Sequence, residues 1–227
     1  MPSIASTTKN QLLTIAAFIV VAIWAETFVS SKILLTSGLM PADIFFYRFA
    51  MAYVGILLVS HRRLWADSWR DELLMLLLGI TGGSVYFLVE NMAIRYSTAS
   101  NVAILIGTTP LMTALLLALF YKDERMTGQQ IIGSLVAFVG LVLVVLNGQL
   151  VLHLNPRGDV LALCASALWG VYSLILKVVS PRYDAMFITR KVFGYGLLTI
   201  LPWFAFVEPL AIDVALLAQP IVWGNLL

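Results

Sequence analysis

Two carboxylates, Glu26 and Glu90, fall deep inside runs that are otherwise nearly free of charge. A carboxylate in hydrocarbon costs a few kcal/mol on insertion scales, so it lines a cavity or pairs internally. Glu26 is followed by Thr27, Ser30 and Ser31, which enlarge the polar surface. It can meet a substrate ammonium or carry a proton; the alternative is a structural ion pair with Arg48, Lys32 or Arg190. Glu90 and Asn91 lie one turn from the far end of their run, which suits a cavity mouth or a simple interfacial position. Every aspartate, by contrast, is placed at a run end or in a connection. Arg48 and Arg190 enter near the starts of their runs, where they either snorkel to the boundary or pair with an intramembrane glutamate.

Helix breaks and aromatic residues add a second kind of chemistry. Gly82-Gly83 and Gly107-Thr108-Thr109-Pro110 interrupt two apolar runs at mid-depth. Proline removes an intrahelical donor and frees a carbonyl, and broken helices commonly border the ligand site of membrane carriers. Tolerated kinks are the alternative; Thr108 and Thr109 at the second break favour the ligand reading. Trp24, Tyr86, Trp169 and Tyr172 could wall a cavity for organic cations or amino acids; anchoring at the lipid interface is the alternative, weakened for Trp24 and Trp169, which lie well inside their spans. Trp65, Trp69, Trp203 and Trp223 fit the boundary with water better. Lys32 and Lys177 read as interfacial anchors. Gly133, Ala137 and Gly140 share a helix face and predict close packing.

These residues must be positioned by membrane helices. The chain has 227 residues, 61% hydrophobic and only 11% charged, with a mean hydropathy of +0.95. A soluble domain carries about 25% charged residues. Runs of ~20 apolar residues suffice to span the bilayer, and in hydrocarbon they must be helical. The expected fold is all-α: a polytopic transmembrane bundle with spans at 12–35, 44–60, 73–93, 98–121, 130–146, 160–176, 186–207 and 214–227. The first is too long for the apolar region of a signal peptide (~7–15 residues) and reads as a retained span. Between spans, Lys9, Arg62, Arg63, Arg70, Lys122, Arg125, Lys177 and Arg182 fall on one side, and only Arg95 and Arg157 on the other. The basic side faces the cytoplasm. The N-terminus is therefore expected inside, in a multi-pass protein of the inner, cytoplasmic membrane. No basic cluster suits nucleic acid. One cysteine and two histidines exclude an intramolecular disulfide and a zinc site, so no cofactor is expected.

A weak repeat is present. Trp24 precedes Lys32 as Trp169 precedes Lys177, and Arg48 precedes Tyr53 as Arg190 precedes Tyr195. A unit of five helices is odd, so its second copy enters from the opposite side, giving inverted repeats, an arrangement typical of transporters. The predicted units are residues 12–147 and a partial copy over 158–227. The last run, about 21 Å long as a helix, is too short to cross, and the chain is expected to be C-terminally truncated.

The sequence resembles the drug/metabolite transporter superfamily, specifically its EamA-type members. The resemblance rests on Ala93-Ile-Arg-Tyr96-Ser-Thr-Ala-Ser-Asn101, the run through Pro110-Leu-Met, Asp123-Glu124-Arg125 with Gly133 and Gly140, and Ile23-Trp24-Ala-Glu26. It implies ten helices in two five-helix repeats, of which the last two and the end of the eighth are missing here. It also implies a secondary transporter, exporting a small metabolite or amino-acid-like compound by alternating access. Trp24, Glu26, Thr109 and Trp169 are expected at the cavity, Glu90 and Asn91 near its outer mouth, and Glu26 as the coupling carboxylate. The expected partners are a small-molecule substrate and the lipid bilayer; oligomeric state is left open, a homo-oligomer included. A membrane enzyme is disfavoured because His61 and His153 fall on opposite sides. A non-transporting scaffold or an inactive fragment is the remaining alternative.

Overall fold

A computed structural model describes residues 4–60, 64–121, 127–146 and 155–227. The described residues are helical with no strand. Helix α1 spans Ile4–Thr36, α2 Pro41–Val59 and α3 Trp69–Gly79. A π-turn over Ile80–Ser84 joins α3 to α4 (Val85–Tyr96). Helices α5 (Ala99–Ile106) and α6 (Thr109–Phe120) follow, then α7 (Gly128–Leu146), α8 (Pro156–Val179), α9 (Ala185–Phe206), α10 (Val214–Leu217) and α11 (Pro220–Leu226). Among the described residues, five helical stretches are long and apolar enough to cross a membrane: Gln11–Thr36, Pro41–Val59, Trp69–Tyr96, Ala99–Phe120 and Pro156–Val179.

Local chemistry explains several starts and breaks. Ser68 caps α3 by accepting from the Asp71 amide at 3.2 Å, and Asn155 caps α8 from the Gly158 amide. Pro41, Pro110, Pro156 and Pro220 stand in first turns, where the missing N–H costs no helical bond. The run from Val214 was expected as one span. It forms two short helices instead, because Gln219 is extended and Pro220 starts a new helix. Helix α3 also begins earlier than expected, so Asp71 and Glu72 belong to a helix and not to a connection.

Helix α8 is central, packing on α3, α4, α5 and α6, while α9 packs on α2, α3 and the π-turn. One apolar cluster joins Met75 and Leu78 to Val179, Phe187 and Val192. Another joins Tyr86, Ala93 and Ile94 to Val102, Ala162 and Ala165. Helix α11 lies against α1 and α2. The segment before it is tied to α2, since Tyr47 donates to the Ala211 carbonyl at 2.5 Å and the Ala211 amide donates to Asp43 at 3.1 Å. Close packing on the Gly133 and Gly140 face does not occur among the described residues: a Cβ at either glycine would meet nothing within 4 Å. Small residues permit close approach but do not supply the neighbour. Lys9 is described only in its backbone. Arg62, Arg63, Lys122, Asp123-Glu124-Arg125, His61 and His153 lie outside the described residues.

Candidate substrate cavity

Helices α1, α4, α5, α6 and α8 line an open-sided cavity of about 440 Å³. Trp24 and Phe28 of α1, Tyr86 of α4 and Trp169 of α8 form its aromatic walls, and Thr109 and Pro110 border it at the α5–α6 break. Trp24 and Trp169 meet with ring centroids 5.0 Å apart, and Tyr86 and Tyr172 each stand 5.0 Å from Trp169.

The break supplies the polar groups. Gly107 and Thr108 separate the two helices, and Pro110 has no N–H to return to the preceding turn. The Leu105 carbonyl accepts from Thr108 Oγ1 at 2.6 Å and from Ser166 Oγ at 3.3 Å. Thr109 Oγ1 reaches Ser166 Oγ at 3.1 Å. The other expected break, Gly82-Gly83, falls inside the π-turn, where Gly83 leaves helical geometry at φ −115°, ψ −106°. The Tyr172 ring lies so close over Gly82 that a Cβ there would collide with it. Gly82 thus leaves room for the Tyr172 ring, which stands beside Trp169.

Glu26, between the lining residues Ala25 and Phe28, is exposed and does not line the cavity. Among the described residues it makes no pair with Arg48, Lys32 or Arg190. Glu90 and Asn91 are buried, at 4% and 2% exposure, behind the cavity wall and not at an open mouth. Tyr86 donates its hydroxyl to Glu90 at 2.8 Å, so the residue whose ring walls the cavity also holds the buried carboxylate. Asn91 donates to the Pro41 carbonyl at 3.2 Å, and its Oδ1 has no partner among the described residues. Arg48 donates to Ser31 Oγ at 2.9 Å and the Asn225 carbonyl at 2.8 Å. Arg190 donates to the Ser60 carbonyl and lies over the Phe187 ring. Lys32 donates to the Ile94 and Ser97 carbonyls, both at 2.7 Å, closing the end of α4. Lys177 lies over the Tyr121 ring at 4.9 Å.

A further polar cluster, between α3 and α9, escaped the sequence reading. Glu72 accepts from Lys191, from the Tyr195 hydroxyl and from the Ala66 amide. Asp71 accepts from the Tyr183 hydroxyl at 2.7 Å and pairs with Arg182 at 2.6 Å. Burial raises the Tyr183 phenol above its usual value, with neighbouring Asp71 adding to the shift and the Asp67 amide opposing it, so it remains a donor. The available signal was Ser68-Trp-Arg-Asp71 before an apolar run, a helix-start pattern.

Residues 12–146 match the EamA-like transporter family. An uncharacterized transporter of Archaeoglobus fulgidus is 30% identical over 185 residues, covering 80% of this chain and 63% of its own length. A probable terminal-alkyne amino-acid exporter of Streptantibioticus cattleyicolor is 29% identical over 191 residues, covering 82% and 62%. A probable amino-acid metabolite efflux pump of Escherichia coli is 25% identical over 194 residues, covering 84% and 62%. The chain spans about three fifths of the length of the curated relatives it matches. No solved structure matches it significantly. The chain belongs to the EamA-like transporter family. Its long apolar helices fit that assignment, and it is a multi-pass membrane protein.

Proposed function

We propose that the chain serves a secondary transporter that exports an apolar amino-acid-like compound by alternating access around the Trp24–Trp169 cavity. The observation that carries this reading is the cavity itself: aromatic walls beside a broken helix with hydroxyls at the break. Aromatic faces attract an ammonium group, the apolar walls accept a hydrocarbon side chain, and Thr109 offers a hydrogen bond. The names of the Streptantibioticus and Escherichia relatives point to amino-acid chemistry as well.

In this reading residues 12–147 and 158–227 are inverted repeats. The N-terminus lies in the cytoplasm, and α10 with α11 stands in the place of an eighth span. The contact between Trp24 and Trp169 supports it, because the two occupy equivalent positions in the first helix of each unit. Glu90 is the coupling carboxylate, since its Tyr86 partner touches the cavity while Glu26 is not among the lining residues.

Proteoliposomes loaded with radiolabelled phenylalanine, methionine and leucine test the reading. Efflux above that of protein-free vesicles is expected, at least about tenfold slower in Trp169→Ala, the equivalent of losing one aromatic–ammonium contact of 1.4 kcal/mol. An inward proton gradient is expected to accelerate efflux from wild type and not from Glu90→Gln. Folded wild-type protein that moves none of the three amino acids would remove this reading.

A further inference from the structure

Away from the cavity, a groove of about 380 Å³ runs between α2 and α9. Its length is apolar, walled by Leu57, Leu197 and Leu198. Gly194 keeps it open beside Tyr53, because a Cβ there would press to 3.1 Å from that ring. One end is different in kind. Arg190, Lys191, Trp65 and Tyr195 gather there, both cations largely buried and Lys191 paired from behind with Glu72. This end lies where α2 finishes and α9 begins, with Arg190 about 8 Å from the α9 start at 1.5 Å per residue. Helix α2 is long and apolar enough to cross a membrane, so its end brings the neighbouring cations to the depth of a membrane boundary. Leu198 is a further 12 Å or so along the helix, toward the hydrocarbon.

The surroundings hold the cations in place. Lys191 is fixed by Glu72 and lies over the Trp65 ring at 4.8 Å; Arg190 is braced by the Ser60 carbonyl and Phe187. Trp65 itself is 69% exposed, as befits a ring at headgroup level. Basic pockets between membrane helices recognise lipid phosphates.

We propose that this groove binds one anionic phospholipid, its phosphate against Arg190 and Lys191 and an acyl chain along Leu57, Gly194 and Leu198. Charge chooses the occupant: a zwitterionic lipid brings its own cation up against the Arg190 guanidinium, whereas an anionic lipid does not. A soluble phosphate would satisfy the cations but leave the apolar length unfilled. The inference is independent of whether the cavity transports anything.

The test is a fluorescence titration of delipidated protein in neutral detergent with NBD-labelled phosphatidylglycerol. Competition is measured with unlabelled phosphatidylglycerol, phosphatidylcholine and glycerol 1-phosphate. Phosphatidylglycerol is expected to displace the probe and the other two are not. Arg190→Gln is expected to weaken binding about fivefold, the equivalent of about 1 kcal/mol for one basic residue at a membrane surface. Leu198→Trp, on an exposed position that fills the groove without touching a charge, is expected to weaken it as well and guards against misfolding of the arginine variant. Equal displacement by phosphatidylcholine would overturn the proposal, as would equal displacement by glycerol 1-phosphate, which would make this a soluble-anion site. So would full affinity in Leu198→Trp.

Discussion

The two ends of the helix bundle are fastened by different chemistry. At the end where α3 begins, two carboxylates meet two cations and two phenols: Glu72 with Lys191 and Tyr195, Asp71 with Arg182 and Tyr183. At the other end, Lys32 closes α4 through two carbonyls, Asn101 bridges Ser97 and Asp159 (3.1 and 2.5 Å), and Asn155 reaches the Tyr96 carbonyl at 2.6 Å. The first fastening joins α3, α9 and the turn before α9. The second joins α1, α4, α5 and the start of α8. Separating the first strands charge in a poor solvent; separating the second breaks hydrogen bonds that water can replace. Under the proposed alternating access the bundle would part more readily at the second end, where the described residues form no ion pair.

The largest effect should come from Glu72→Gln, which leaves Lys191 without its counterion. A loss of about 3 kcal/mol in unfolding stability is expected, the low end for breaking a buried pair, because both side chains keep about a tenth of their surface (9% and 10%). The double variant Glu72→Gln/Lys191→Met should recover much of it, and a thermal unfolding cycle in detergent reads the coupling directly. Gly82→Ala lies between the two ends and should cost about 2 kcal/mol through overpacking against Tyr172. It should also disturb near-UV circular dichroism from the Trp24–Trp169–Tyr172 ladder. Asn101→Ala, at the end fastened by hydrogen bonds, should cost only about 1 kcal/mol. If it matched Glu72→Gln in the same unfolding assay, the contrast between the ends would fail.

Most helices were legible because charge-free runs of spanning length leave little choice in hydrocarbon. Glu72 was not, since a run of charges hides a helix start unless the Ser68 cap is weighed. The break before Pro220 was obscured by apolar neighbours on both sides. Trp24, Trp169, Thr109 and Pro110 were singled out from their types and depths, and they do share one cavity. The contact between the two tryptophans could be anticipated only through their matching places in the repeat. Glu26 shows the limit of such reasoning: depth along a helix is readable, but the direction a side chain faces depends on neighbours far away in sequence.

The π-turn has a consequence for the whole of 69–96. An ordinary helix advances about 100° per residue, and one residue accommodated in a wide turn puts everything after it out of phase by about that angle. Gly79 faces Tyr195 and Gly196 of α9, yet Tyr86, seven residues on, faces Trp169 of α8. In an unbroken helix those two positions would point almost the same way. The phase slip lets one membrane crossing serve two neighbours, turning its first half to the charged fastening and its second to the cavity wall.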